Sequence, residues 1–269
     1  MYRVSVPRAC WFCPQIVKKG SQYSREHTIP QWLQQNLGIA SQVIEPTLTA
    51  MPSAKVLDSR KHTVDKLRTG AVCQSCNSGW MSRLESDVQS LLLDLISGVR
   101  PLQALRKAER LLLARWATKT AYMFQAGSFE HRIPRTHFTS LRDVVTNLPD
   151  GVHVFGRQQE FDQLWYIAEG STWLHPALEE SAAVSVKTTG YKISLQFGQL
   201  LLVVVYWPLR GWNLRVEKNM LFKIWPRTSQ VVSYVNSAPM NSDTSERAHV
   251  RFTAGVTVSP TKRADGIQR

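Results

Sequence analysis

The sequence predicts an α+β protein of two domains, residues 1–98 and 99–269, because its length of 269 residues exceeds that of a typical single domain. All four cysteines lie in the first domain, in two Cys-x-x-Cys pairs. Apolar residues then recur at helical spacing through residues 80–125, and short β-branched or aromatic runs follow from residue 152. We therefore expect a small first domain built around the cysteines, and a second domain with long helices and an antiparallel or mixed sheet.

The first cysteine pair is Cys10 and Cys13, and the second is Cys73 and Cys76. This short spacing is typical of metal sites, and no secretory signal precedes it that would favour disulfides. Four thiolates suit the tetrahedral preference of zinc, and a long loop between the pairs costs little extra entropy. The sequence therefore predicts a structural Zn²⁺ site, which has no open position for water.

Candidate polar residues lie between the two cysteine pairs and directly after the second pair. Glu26 and His27 follow a short stretch, 21–25, that predicts a strand, and Asn77 directly follows Cys76. A zinc ion that binds both pairs would draw these segments together. We expect a carboxylate, an imidazole and an amide to converge there, although about fifty residues separate them in the sequence.

These motifs resemble the HNH, or ββα-metal, nucleases in their zinc-stapled form, as in phage junction-resolving endonucleases. The matching residues are Cys10-Trp11-Phe12-Cys13, Glu26-His27-Thr28-Ile29-Pro30 and Cys73-Gln74-Ser75-Cys76-Asn77. The resemblance covers about the first 90 residues and implies an HNH-like ββα-metal fold for residues 1–98. Two positions depart from the family pattern. Glu26 stands where most relatives carry Asp, and Trp80 stands where some carry another carboxylate or a histidine, so that Glu85 is the nearest acid on the following helix.

The resemblance implies a metal-dependent endonuclease that hydrolyses phosphodiester bonds, with DNA as the expected substrate. His27 would be the general base, because an imidazole titrates near neutral pH. Glu26 and Asn77 would hold one catalytic Mg²⁺ or Mn²⁺ ion through hard oxygen ligands.

Other interpretations of the same residues stay open at this stage. His27 could be a half-buried residue ahead of a helix that starts at Pro30, and Asn77 could be a turn residue. The protein would then be a non-catalytic, zinc-stapled protein that binds nucleic acid. A third hypothesis is a nuclease effector that its second domain gates, in phage defence or in a mobile element.

The charge of the chain agrees with a nucleic-acid partner. Lys and Arg outnumber Asp and Glu by 33 to 20, which gives a net charge of +13 and a field that attracts phosphates. Basic residues near the predicted site are candidate phosphate contacts; they are Lys18, Lys19, Arg25, Arg60, Lys61, Lys66 and Arg68. The second domain is a candidate surface for a protein partner or for a second copy of the chain.

Helical periodicity predicts helices at 80–96, 102–125 and 138–146. The first would be the α of ββα, with its amino terminus directed toward a bound phosphate. The second has a basic face opposite its apolar residues, formed by Arg106, Lys107, Arg110, Arg115 and Lys119.

Strands are predicted at 152–155, 164–168, 182–188, 192–197, 200–206 and 221–225. The apolar run at 200–206 is too short to cross a bilayer and is predicted to be a buried central strand. We therefore expect no membrane segment and a cytoplasmic location. A polar, Ser-rich and Asn-rich stretch predicts a loop near 227–248, and a flexible tail is predicted at 259–269.

Overall fold

The structure is a computed structural model that describes residues 8–17, 23–45, 47–50, 55–126, 133–158, 165–169, 190–208, 212–217, 221–226, 232–235 and 256–260. It is a mixed α+β structure with antiparallel sheets, as the sequence predicts. Lys18, Lys19 and the strand predicted at 182–188 lie outside the described residues. Within the described ranges, no helix combines the length and the apolar character needed to cross a membrane.

The elements of the first hundred residues are β1 (Arg8–Ala9), β2 (Ile16–Val17), β3 (Tyr23–His27), α1 (Gln31–Asn36), β4 (Val43–Ile44), β5 (Thr47–Ala50), β6 (Lys55–Ser59), β7 (His62–Thr63), β8 (Arg68–Cys73), α2 (Gln74–Cys76) and α3 (Ser82–Ile96). The strands form four antiparallel pairs: β1 with β2, β3 with β8, β4 with β7 and β5 with β6. A π-helical turn, Asn77–Met81, joins α2 to α3, so the backbone is helical from the second cysteine pair onward.

The pairing of β3 with β8 brings the two motif regions together. Tyr23 lies opposite Cys73 and His27 lies opposite Arg68, with a register shift between Ser24 and Glu26. Side chains along β3 alternate, since Ser24 and Glu26 are buried whereas His27 is only half-buried. The predicted strand therefore extends two residues further than expected, and it carries both Glu26 and His27.

The helix predicted at 80–96 is confirmed, and its apolar stripe is buried as expected. The buried side chains of α3 are Leu84, Val88, Leu91, Leu92, Leu95 and Ile96. Their spacing of three and four residues places them on one face. This face packs against the long helix of the second part of the chain.

The elements of the second part are α4 (Lys107–Ala126), α5 (Arg135–Asp143), β9 (Val152–Gln158), β10 (Trp165–Glu169), β11 (Tyr191–Phe197), β12 (Leu200–Tyr206), β13 (Trp212–Glu217), β14 (Phe222–Trp225), β15 (Val232–Val235) and β16 (Val256–Pro260). Five strands form an antiparallel sheet in the order β10-β11-β12-β9-β14. The apolar strand β12 lies at its centre, as the sequence predicts. A mixed sheet in the order β15-β13-β16 contains one parallel pair, β13 with β15.

Three boundaries differ from those predicted. The helix predicted at 102–125 begins at Lys107, because a separate 3₁₀ turn occupies Leu102–Ala104. The helix predicted at 138–146 begins and ends three residues earlier, directly after Pro134. The loop predicted near 227–248 contains β15, because the neighbouring strand β13 supplies backbone partners that the local composition does not indicate.

Helix α4 is covered on two sides, so only part of its predicted basic face is exposed. It packs against α3 and β8 as well as against strands β9, β11, β12 and β14. Arg106 and Lys107 are exposed, but Arg115 and Lys119 are buried. Arg115 donates hydrogen bonds to the backbone carbonyl of Leu141, in the last turn of α5, and to those of Val144 and Asn147, in the segment that follows α5.

The described residues on either side of position 98 share one hydrophobic core. Its buried apolar residues run from the cysteine pairs through α3 and α4 to the five-stranded sheet. Phe138 of α5 makes ring contacts with Trp11 and Phe12 of the first cysteine turn, at centroid distances of 5.1 and 5.2 Å. The second part of the chain therefore packs directly on the cysteine region.

Gly198 lies at a point where this core is tightly packed. It lies in the turn between β11 and β12 with a φ of +51°, and an added Cβ would come within 2.8 Å of Ile96 Cγ2. Gly198→Ala should lower the free energy of unfolding by about 2–4 kcal/mol, through backbone strain and overpacking together. Urea denaturation measures this quantity.

Gly38→Ala is the matched control, because Gly38 also has a positive φ, +65°, but an added Cβ would meet nothing within 4 Å. It should lose only about 1 kcal/mol from backbone strain. Equal losses in the two variants would contradict a tight contact between the turn and Ile96.

Candidate functional site

The four cysteines meet in one buried cluster. Their sulfur atoms all lie within 4.8 Å of one another, and none of the four forms a disulfide. The Sγ atoms of Cys13 and Cys73 are 3.6 Å apart, well beyond the S–S bond length of about 2 Å. The predicted convergence of the two pairs is confirmed, and the cluster could hold one metal ion.

Short hydrogen bonds fix the two cysteine turns to each other. The Cys10 amide donates to the Gln15 carbonyl at 2.8 Å and closes the first turn. The Cys73 amide donates to Cys10 Sγ at 3.4 Å, and the Ser75 hydroxyl donates to Gln15 Oε1 at 3.0 Å. An amide that points at a sulfur favours its thiolate form, which is the form that binds metals.

The protonation of the cluster indicates that it needs a cation to become fully ionised. The hydrogen bond from Cys76 lowers the pKa of Cys10 to about 4, and the same bond raises the pKa of Cys76. Burial raises the pKa of Cys13. Several adjacent thiolates repel one another, and a bound metal ion removes that cost.

Arg135, the first residue of α5, supports the first cysteine turn from the second part of the chain. Its guanidinium donates to the carbonyl oxygens of Cys10 and Cys13. These carbonyls belong to the backbone that carries the sulfurs. The position of the first pair therefore depends on α5 as well as on the thiols.

Glu26 and Asn77 lie together beside the cysteine cluster, as the sequence predicts. The Asn77 side-chain amide donates to Ser24 Oγ at 2.5 Å and also to the Glu26 carboxylate. Burial raises the pKa of Glu26, Lys119 opposes that shift and Glu85 adds to it. Asn77 uses its amide nitrogen in both bonds, so its carbonyl oxygen is free of them.

His27 follows Glu26 as the last residue of β3 and lies opposite Arg68 of β8. Its Nε2 is buried and has no hydrogen-bond partner among the described residues. Burial lowers the pKa of His27 below its usual value of about 6.5, and the neighbouring Arg68 lowers it further, against Asp65 and Glu85. The imidazole is therefore neutral at pH 7 and able to accept a proton.

Two residues of the site come from outside the predicted set. Lys119 of α4 has a fully buried side chain, and its Nζ lies 3.6 Å from Glu26 Oε1 and closer still to Glu85 Oε1. Glu85 is near enough to affect the pKa of both Glu26 and His27. The sequence could have indicated Glu85, because it lies next to the apolar stripe of the helix that follows the second cysteine pair. No pattern in the sequence indicates Lys119.

The predicted phosphate contacts divide into two groups. Arg25 and Arg68 are exposed on β3 and β8, and Arg68 is paired with His27 across the strands. Arg60 and Lys61 are exposed between β6 and β7, where Lys61 forms an ion pair of 3.8 Å with Glu45. The first group is therefore beside His27, and the second lies on a different pair of strands. Lys66 is exposed in the short turn before β8.

The side chains around Lys119 match the donor type that small divalent cations prefer. Glu26 and Glu85 offer carboxylate oxygens and Asn77 offers an amide oxygen, and Mg²⁺ or Mn²⁺ binds such hard ligands. The ammonium group of Lys119 contacts both carboxylates, so it would have to share them with any such ion.

Comparison with models of known protein families, with curated proteins and with solved structures finds no match to this chain. Its function must therefore be inferred from the residues of the site.

The cysteine cluster generates a direct test of metal binding. The purified protein should contain about one tightly bound metal ion per chain, because four thiols in mutual contact form one complete ligand set. Cys73→Ser should lose that ion and lower the melting temperature, since metal binding contributes folding free energy. Elemental analysis and thermal denaturation measure the two effects.

Ser75→Ala is the matched control, because it removes a hydroxyl 3.1 Å from Cys73 Sγ without removing a ligand. It should keep the metal. A Cys73→Ser variant with unchanged metal content would exclude the four-cysteine site.

Proposed function

We propose that the protein is a metal-dependent endonuclease of the HNH type, which hydrolyses phosphodiester bonds in DNA. The observation that carries this proposal is the half-buried His27, whose Nε2 has no hydrogen-bond partner among the described residues and which directly follows Glu26, the neighbour of Asn77, on β3. A base that activates water, and oxygen ligands that hold a divalent cation, are groups that metal-assisted hydrolysis of a phosphodiester uses.

The four-cysteine cluster supports a structural zinc ion. Four thiolates are soft ligands that suit zinc, and a site with four protein ligands leaves no position for a substrate or a water. Zinc would hold the turn between β1 and β2 against the end of β8 and α2, and would take no part in the reaction. The cluster therefore acts on catalysis only through the placement of Glu26 and Asn77.

His27 would act as the general base. Its pKa is lowered, so the imidazole is neutral and able to take a proton from the attacking water at physiological pH. Arg68, across the strand pair, would contact the phosphate. Glu26 and Asn77 would hold the catalytic cation. Bound Mg²⁺ or Mn²⁺ would stabilise the negative charge of the phosphate and of the leaving oxygen.

One observation favours a nuclease that the second part of the chain controls. Lys119 of α4 contacts Glu26 and Glu85, and Arg135 of α5 contacts the first cysteine turn. A movement of these helices would therefore change both the carboxylates and the metal-bound turn. Regulation of this kind is what a nuclease effector controlled by its second domain would use.

The nuclease proposal predicts that His27→Ala abolishes DNA cleavage in the presence of Mg²⁺ or Mn²⁺. Loss of a general base lowers the rate by about 10²–10⁴-fold. Cleavage of linear, supercoiled, branched and single-stranded DNA measures the effect and defines the substrate class.

His62→Ala is the matched control, because His62 lies on β7 and pairs with β4 rather than with β3 or β8. It should cleave at the wild-type rate. Equal activity of His27→Ala and wild type would remove His27 from the mechanism. DNA binding without cleavage under any divalent ion would instead support the non-catalytic, nucleic-acid-binding alternative.

A phosphate contact by Arg68 predicts a change in the salt dependence of binding. Arg68→Gln should reduce the slope of log K against log[salt] by about one, because one fewer counterion is released. Lys107→Gln removes one exposed charge at the start of α4 and should leave the slope unchanged. Fluorescence anisotropy with labelled DNA at several salt concentrations measures both slopes. Identical slopes in the two variants would exclude the Arg68 contact.

A further inference from the structure

Lys119 of α4 contacts two carboxylates of the candidate site with its ammonium group. Its Nζ contacts Glu26 at 3.6 Å and Glu85 at a shorter distance, and its side chain is 0% exposed. Glu26 comes from β3 and Glu85 from α3, so one ammonium group joins two elements of the HNH-like region. The two glutamate side chains are exposed by only 11% and 16%.

A buried ammonium group between two carboxylates offsets two electrostatic costs. A buried lysine is costly unless it is paired, and neighbouring carboxylates repel one another unless a cation lies between them. Lys119 removes both costs at once. One amine therefore holds the two carboxylates together.

We propose that Lys119 occupies the place of a divalent cation between Glu26 and Glu85, so that a cation binds these carboxylates in competition with its ammonium group. This inference rests on the proposed function, because it concerns the same carboxylates. Lys119 lies about forty residues beyond the last cysteine, outside every motif that the HNH resemblance uses.

The surroundings of Lys119 make the competition strong. Its neighbours on α4, Thr118 and Thr120, are fully buried, and the helix packs on α3 and β8 on this side. The amine therefore cannot move far while α4 stays in place. A divalent ion bound at the same carboxylates would lie a few ångströms from a second positive charge, and partly buried charges at such distances repel strongly.

The competition gives the second part of the chain a defined effect on the site. Because α4 carries Lys119, the position of α4 sets how tightly a cation binds to Glu26 and Glu85. A displacement of α4 away from α3 would withdraw the amine and raise the affinity for the cation. Lys119 is thus a positioning residue that acts through the carboxylates.

Manganese binding by the full-length protein tests the proposal without measuring activity. Mn²⁺ is titrated into protein whose cysteine cluster is loaded with zinc, and the electron paramagnetic resonance signal of free Mn²⁺ gives the dissociation constant. Lys119→Met should bind Mn²⁺ at least about tenfold more tightly than wild type, because the competing charge is gone. A purely structural role for Lys119 would weaken binding instead.

Lys107→Met is the matched control, since it makes the same substitution at an exposed position of the same helix. Its Mn²⁺ affinity should equal that of wild type. The double variant Glu26→Gln, Lys119→Met should bind Mn²⁺ less tightly than Lys119→Met alone, which would locate the ion at Glu26. If Lys119→Met fails to fold, Lys119→Gln provides the same test, because it keeps a hydrogen-bonding group without the charge.

Unchanged or weaker Mn²⁺ binding in a folded Lys119 variant would overturn the competition. That outcome is separate from failure of the nuclease proposal, which depends on cleavage by wild type and by His27→Ala. If the Lys119 variant binds Mn²⁺ more tightly but the wild-type protein never cleaves DNA, the competition is supported and the nuclease proposal is contradicted.

Discussion

The convergence of four buried thiols is the constraint on which the candidate site depends. The two cysteine pairs are about sixty residues apart in the sequence, and their sulfur atoms lie within 4.8 Å of one another. This contact fixes the end of β8, where Cys73 pairs with Tyr23, and so fixes the register of β3. Asn77 then begins the turn into α3 at the point where Ser24 and Glu26 face inward. The hydrogen bond from Asn77 to Ser24 then holds the amide of Asn77 close to Glu26.

The second part of the chain completes this arrangement rather than standing apart from it. Arg135 holds the carbonyls of the first cysteine turn, and Phe138 packs on the aromatic residues within that turn. Lys119 neutralises the carboxylates on the other side of β3. Packing, backbone hydrogen bonds and charge thus all cross the predicted domain boundary. A change in the packing of α4 or α5 is therefore transmitted to the site by direct contact.

Sequence reasoning found those parts of the site that depend on local patterns. The cysteine spacing predicts the cluster, the residues next to each pair predict Glu26 and Asn77, and the apolar stripe predicts α3. It did not indicate that Arg115 and Lys119 are buried, because a basic face opposite an apolar stripe normally meets solvent, whereas α4 is covered on both sides. It also predicted a loop where β15 forms, because a strand in a polar segment depends on its partner strand. The missed features share one cause, since each is decided by an element distant in the sequence.

The charges around β3 leave Glu26 and His27 in different environments, although the two residues are adjacent in the sequence. Glu26 is buried and close to Glu85, Lys119 and Asn77, so a cation of some kind is required there. His27 is half-buried near Arg68, and burial and the Arg68 charge both lower the pKa of its imidazole. A buried carboxylate attracts a cation, whereas a nearby positive charge disfavours the charged form of an imidazole. Under the proposed mechanism, this difference would let one short strand supply both a metal ligand and a neutral base.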